Sequence, residues 1–113
     1  MKTETFIYDG IIYSISIGGN KYENTELINT SNTSDVWFHV SDASSCHVVL
    51  KNEGKLNAIP RQVIKRCAYL CKINTNSAKS MPKCDVVYTV VANVQTTDIP
   101  GAVLTLGCKK ICV

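Results

Sequence analysis

Apolar β-formers run from Thr5 to Tyr8 and from Ile11 to Ile17, separated only by Asp9-Gly10. A two-residue hairpin turn needs positive φ at both central positions, which Asp-Gly supplies, so this pattern predicts two strands closing on each other. A Gly-led loop, Gly18 to Asn24, comes next, and Glu23–Asn29 is consistent with a short helix that Asn20 would cap. Asn29–Ser34 reads as a polar loop. Asp35–Val40 and Cys46–Leu50 then read as two short strands. Period-two geometry sets Asp35, Trp37 and His39 on one face and Val36, Phe38 and Val40, plainly core, on the other. In the second strand His47 and Val49 share a face opposite Cys46, Val48 and Leu50.

Helical periodicity emerges after Pro60. At about 100° per residue, Val63, Ile64, Cys67, Leu70 and Cys71 fall within one third of the circumference. Arg61, Lys65 and Lys72 form a narrow stripe on the opposite side. The pattern predicts a helix over Pro60–Asn74 with proline at its first position. A polar link, Asn74–Lys83, leads to a strongly apolar strand, Cys84–Val94. Ile99-Pro100-Gly101 reads as a turn, and Val103–Leu106 with Lys110–Val113 as a closing pair. The predicted class is α+β: a single domain over residues 1–113, an antiparallel sheet with one main helix (about 60–74) packed on it.

At 113 residues, with 45% hydrophobic and 19% charged positions, the chain has the size and apolar content of one folded domain. Its mean hydropathy of +0.04 argues against disorder. No apolar run approaches the roughly 18 residues of a membrane span, and Met1–Thr5 lacks an export-type apolar stretch. The expectation is a cytoplasmic protein without a membrane partner. In a reducing compartment the six cysteines read as small buried hydrophobes. Cys67/Cys71 and Cys108/Cys112, each pair with three residues between, are poorly spaced for a zinc ribbon, so no metal or other cofactor is implied. The net charge of +3 conceals a split. Residues 1–50 carry two basic against six acidic side chains, and residues 51–113 carry ten against three. A basic half on a small domain points toward a polyanionic partner.

No phosphate-binding loop, nucleophile elbow or zinc-protease signature occurs. Asp35, His39, Ser45 and His47 are the one set assembling on paper into a hydrolytic group, so the expectation is a protein that is not an enzyme, with no catalytic residues. Trp37 reads either as a core anchor or, paired with His39, as a surface for stacking an exposed base. His47, in an apolar strand, is either a core histidine or a ligand contact. Arg61, Lys65 and Lys72 lie in a basic stretch with Lys51, Lys55, Lys79 and Lys83. Residue types alone leave nucleic-acid binding and protein interaction balanced.

The order of motifs adds to this. Gly19-Asn20-Lys21-Tyr22-Glu23-Asn24-x-x-Leu27-Ile28, Asp35-Val36-Trp37-Phe38-His39-Val40 and Ser44-Ser45-Cys46-His47-Val48-Val49-Leu50 together resemble the NFACT-R domain. Ile59-Pro60-x-x-Val63-Ile64, Val86-Val87-Tyr88-Thr89, Asn93-Val94 and Pro100-Gly101-x-Val103 extend the resemblance from about residue 12 to the end. That domain closes ribosome quality-control proteins that help add C-terminal tails to stalled nascent chains, and it also occurs in smaller proteins.

The resemblance implies a non-catalytic, RNA-binding or translation-linked domain whose RNA is tRNA or rRNA. Its signature positions are Asn20, Lys21, Asn24, Asp35, Trp37, His39, Ser45 and His47. With the basic residues, the candidate RNA contacts become Asn20, Lys21, Asn24, Trp37, His39, His47, Lys51, Arg61, Lys65, Lys72 and Lys79. The alternative is a module docking a protein of the translation machinery through the Trp37/His39 face. Two departures stand out: Cys46 occupies a position usually held by a small residue, and Gln95-Thr96-Thr97 replaces a segment often rich in lysine. With the chain ending at Val113, tail synthesis by this chain alone is not expected.

Overall fold

The computed structural model describes all 113 residues. Lys2–Tyr8 (β1) and Ile11–Ile17 (β2) form the predicted hairpin, with Asp9 and Gly10 at φ 51° and 77° in the turn. Lys21–Asn29 (α1) follows, then Val36–Val40 (β3), Val48–Leu50 (β4), a 3-10 turn, Arg61–Ile73 (α2), and Asp85–Val90 (β5). Val94–Thr96 (β6), Val103–Thr105 (β7) and Lys109–Cys112 (β8) complete the chain. Six strands make one antiparallel sheet in the order β1-β2-β4-β3-β5-β8, and β6 and β7 make a separate ribbon. The α+β class is as predicted. No helix is long and apolar enough to cross a membrane.

The period-two alternation of β3 decides how the layers stack. Val36, Phe38 and Val40 point toward α2 and join Ile15, Ile17, Val48, Leu50 and Val86 with the helix residues Val63, Ile64, Cys67, Leu70 and Cys71 in the main core. Phe38 is fully enclosed and stacks on Tyr88, with ring centroids 5.5 Å apart. Burying each large aliphatic or aromatic side chain here contributes roughly 1.5–3 kcal/mol. The opposite face of the same strands is apolar as well. Trp37 and Val49 pack there against Leu27 and Ile28 of α1 and against Val91, with Val94 and Val103 of the small ribbon at the margin. Both faces of the central strands are therefore covered, which accounts for their nearly unbroken apolar sequence.

Several boundaries differ from the pattern, each for a local reason. The strand expected over 84–94 stops at Val90, because the Val91 and Ala92 amides donate to the Asp35 and Thr33 carbonyls and turn the chain under the sheet. The last two segments do not pair with each other. Val103–Thr105 pairs with Val94–Thr96, whereas Lys109–Cys112 continues to the sheet edge beside β5. Pro60 lies just before the helix, in extended conformation, rather than at its first position.

Lys72 is the largest departure. Predicted on the solvent stripe of α2, it is only 8% exposed. The link after the helix folds back over it, burying Ala78 and bringing the Pro82 carbonyl to 3.5 Å from Nζ. Periodicity reports the faces of an isolated helix and carries no information on what a following loop covers.

Asp35 braces the start of β3. Its carboxylate, 2% exposed, accepts from the Asn32 amide and the Asn52 amide, each at 2.9 Å. Those bonds hold the loop before β3 against the exit from β4. Asp35→Ala strands both donors and is expected to lower the unfolding free energy by about 2 kcal/mol. A urea-unfolding midpoint unchanged from the parent would contradict that role.

Candidate functional site

The site grows from a buried polar knot. Trp37 and His47 face each other across β3 and the approach to β4, and the indole Nε1–H donates to His47 Nδ1 at 3.1 Å. The His47 amide donates to Asn24 Oδ1 at 3.1 Å, tying α1 to the β3–β4 loop. Asn24 reaches that position because Gly18 lacks a side chain. A Cβ at Gly18 would lie 2.1 Å from Asn24 Oδ1, while the Gly18 amide donates to the His47 carbonyl. Since Nδ1 accepts from Trp37, a neutral His47 carries its proton on Nε2, toward the Gly101 backbone. Burial, followed by the neighbouring His39, pushes the His47 pKa down to about 4.

His39 lies at the outer end of this stack. Its ring is parallel to Trp37 at 5.5 Å and edge-on to His47 at 5.1 Å. It is only partly buried. Nδ1 lies 2.6 Å from the Val40 carbonyl, so Nδ1 bears the hydrogen. Burial lowers its pKa, so the ring is neutral near pH 7 and Nε2 is an acceptor.

In front of His39 opens a cleft of about 640 Å³. Gly19, Asn20, Lys21 and Asn24 form one wall; Ser44, Ser45 and Cys46 of the β3–β4 loop form another. Asn74–Ser77, just after α2, and Pro100–Ala102 complete it. Asn20 spends its carbonyl oxygen on capping α1, accepting from the Tyr22 and Glu23 amides at 3.0 Å, while Glu23 accepts from the Gly19 amide. The Pro100-Gly101 turn is docked on α1: the Gly101 amide donates to Thr25 Oγ1 at 2.7 Å, and a Cβ at Gly101 (φ +81°) would come within 3.0 Å of Lys21. Eight of the 15 lining residues are Asn, Ser or Thr, which supply hydrogen-bonding groups for a polar ligand.

Residues 3–112 match the NFACT protein RNA binding domain. The chain belongs to that family. Coiled-coil domain-containing protein 25 of Bos taurus is 41% identical over 87 residues, covering 75% of this chain and 42% of that protein. Its Dictyostelium discoideum homolog is 39% identical over the same coverage. Protein JLP2 of Saccharomyces cerevisiae is 40% identical over 82 residues, 68% of this chain and 39% of its own length. The chain thus spans less than half the length of these curated relatives. The solved C-terminal of the fibronectin/fibrinogen-binding protein from Streptococcus suis matches 100% of this chain and 45% of its own, with a TM-score of 0.84 at 24% identity, a likeness of fold.

The NFACT-R signature separates into two jobs once placed. Asn20, Lys21, Asn24 and His39, with Ser45, meet at the cleft. Trp37 (2% exposed) and His47 (1%) lie behind it and brace the fold. Trp37 therefore offers neither a stacking platform nor a docking face, and the alternative of a protein partner bound through Trp37/His39 falls with it.

Arg61 and Lys65 are exposed, but the helical rise of 1.5 Å puts them about 20 Å and 14 Å up α2 from Asn74. Lys51 is exposed beyond the far end of β4. Lys79 is exposed two residues past the cleft wall. Lys72 is buried, as above. Nor does the hydrolytic group assemble: Asp35 is committed to the Asn32 and Asn52 amides at the opposite end of β3 from His39.

Pattern reasoning missed Lys2 and the Asn74–Ser77 wall. Lys2 Nζ donates to Asn74 Oδ1 at 2.6 Å, bringing a cation to the rim. Nothing in Asn74-Thr75-Asn76-Ser77 distinguishes it from an ordinary polar link.

His47 carries a pH dependence. In the unfolded chain it titrates near 6.5, in the fold only near 4. Between those values the unfolded chain takes up a proton that the folded chain does not. Stability is therefore complete above about pH 6.5 and declines as pH falls toward 4, by about 3 kcal/mol for this group, with His39 acting in the same direction. Urea midpoints measured from pH 7.5 to 4.5 should fall accordingly, and His47→Gln should flatten the profile. A profile of equal steepness in the variant would refute the assignment.

Proposed function

We propose that this domain binds structured RNA, tRNA or rRNA, without acting on it chemically, in a translation or ribosome quality-control setting in the cytoplasm. Membership of the RNA-binding family supplies the ligand class. The observation that carries the proposal further is the convergence of Asn20, Lys21, Asn24, His39 and Ser45, drawn from distant parts of the chain, on one open polar cleft. Single-stranded or looped RNA exposes base edges and 2′-hydroxyls, which need donors and acceptors such as these. Lys21 within the wall, and Lys2 and Lys79 beside it, supply cations for the phosphates.

The division of labour differs from a basic half gripping phosphate and an acidic half reading the ligand. Both halves build the cleft, and its nearest cations come from both. Arg61 and Lys65 form a separate exposed strip on α2, which a long RNA would reach as it leaves the cleft. The site's hydroxyls support binding rather than catalysis: Thr75 Oγ1 donates to the Cys71 carbonyl at 2.8 Å, and Ser45 Oγ donates to the Cys46 carbonyl and accepts from the Val40 amide.

Fluorescence anisotropy with labelled tRNA and a ribosomal RNA hairpin, over a range of salt, tests this. Affinity should fall linearly with log salt, and Lys21→Gln should reduce the slope by about 0.7–0.9. His39→Ala should weaken binding several-fold with little change in slope. The Arg61→Glu/Lys65→Glu double variant should lose affinity for the long RNA more than for the hairpin. No binding to either RNA, or binding indifferent to Lys21 and His39, would overturn the proposal.

A further inference from the structure

Cys46 lies on the β3–β4 loop, half-buried in the cleft wall, where the family resemblance leads one to expect a small residue. Beneath it, fully enclosed on α2, is Cys71. Their contacts are reciprocal: Cys46 Sγ is 3.4 Å from the Cys71 carbonyl oxygen, and Cys71 Sγ is 3.5 Å from that of Cys46. Two hydroxyls close the cluster, Ser45 Oγ at 3.5 Å from Cys71 Sγ and Thr75 Oγ1 at 3.6 Å from Cys46 Sγ. Side chains so placed lie alongside each other, one facing solvent and one shielded from it.

We propose that Cys46 and Cys71 are an oxidisable dithiol, a modification site in which a hydroperoxide attacks at Cys46 and Cys71 resolves the product to a disulfide. The environment sets the order of events. The adjoining Cys71 side chain, together with Thr75 and the positive charge of Lys2, outweighs burial and brings Cys46 down to about 7, while Cys71 is pushed well up. Near neutral pH it is thus the accessible sulfur that has the larger thiolate fraction. That thiolate attacks one peroxide oxygen: an S–O bond forms, the O–O bond breaks, and hydroxide leaves, taking up a proton to become water. Cys71 sulfur then attacks the sulfenic sulfur. The S–S bond forms, the S–O bond breaks, and the Cys71 proton departs with that oxygen as a second water. The two thiols lose two electrons and the peroxide gains them.

The other cysteines lack this arrangement. Cys67 and Cys84 are buried, with thiols pushed up chiefly by burial. Cys108 and Cys112 are exposed on the last segment and serve as internal references. The proposal rests on the reciprocal contacts of the two cysteines and stands whether or not the cleft binds RNA.

The test is mass spectrometry of the full chain after brief treatment with stoichiometric hydrogen peroxide at pH 7, alkylation of remaining thiols, and digestion without reductant. A peptide containing Cys46 joined to the Cys67–Lys72 peptide is expected, with fragment spectra placing the bond at Cys71 and dithiothreitol releasing it. It should form before Cys108 or Cys112 is oxidised. In Cys71→Ser, dimedone should label Cys46 instead. The parent-chain experiment decides even if that variant folds poorly. Full alkylation of Cys46 and Cys71 while Cys108 or Cys112 oxidises, or a Cys46 bond to any other cysteine, would overturn the proposal.

Discussion

The hydrogen bond from the Trp37 indole to His47 Nδ1 is the contact on which the rest of the molecule is arranged. Both rings lie within the sheet's second apolar face, where an unpaired indole N–H or imidazole nitrogen would cost roughly 1–3 kcal/mol. Satisfying each with the other allows two polar aromatic side chains into that layer. The same His47 residue then uses its amide on Asn24 and its carbonyl on the Gly18 amide. One residue thereby fixes α1, the end of β2 and the β3–β4 loop relative to one another. His39, stacked on the indole, inherits its position from that knot.

Several polar side chains of the cleft are held in place by bonds within the fold. Asn20 is held by the amides it caps, Asn24 by His47, and Ser45 by the Val40 amide. A polar pocket whose donors and acceptors are already oriented loses less side-chain entropy on binding than one of mobile lysines. Lys21 stands in the wall and Lys2 at the rim, both on long side chains that retain more freedom than the bonded amides. Fixed hydrogen-bonding groups thus line the site beside a flexible cation, Lys21, with a second, Lys2, at its edge.

Much of this was legible in the sequence, where each answer depended on neighbouring residues. Asp9-Gly10 specified its turn, the alternation through Val36–Val40 sorted both faces of β3, and the apolar stripe of α2 found the main core. The helix cap at Asn20 could likewise be read locally. What could not be read were consequences of remote segments. Lys72 looks solvent-facing until the 74–83 link is laid over it, and Trp37 looks available until Leu27, Ile28 and Val91 are packed on it. The partners of β7 and β8 depend on the corner at Val91–Asn93, which is set by carbonyls of residues 33 and 35. The candidate RNA contacts do not all gather in one place for the same reason: Arg61, read from charge, lies up α2, whereas Asn20, read from motif, lines the cleft.

The central strand β3 pairs with β4, close by in sequence, and with β5, which begins at Asp85. The cleft wall at Pro100–Ala102 comes later still. Its other walls come from residues 19–24, 39–46 and 74–77, so the pocket has no local precursor. Contacts this far apart in the chain form late, after the entropy of closing long loops has been met. On a ribosome the site is therefore withheld until the segment through Ala102 has left the exit tunnel and docked. A partly made copy of this domain carries the signature motifs but lacks the Pro100–Ala102 wall of the cleft.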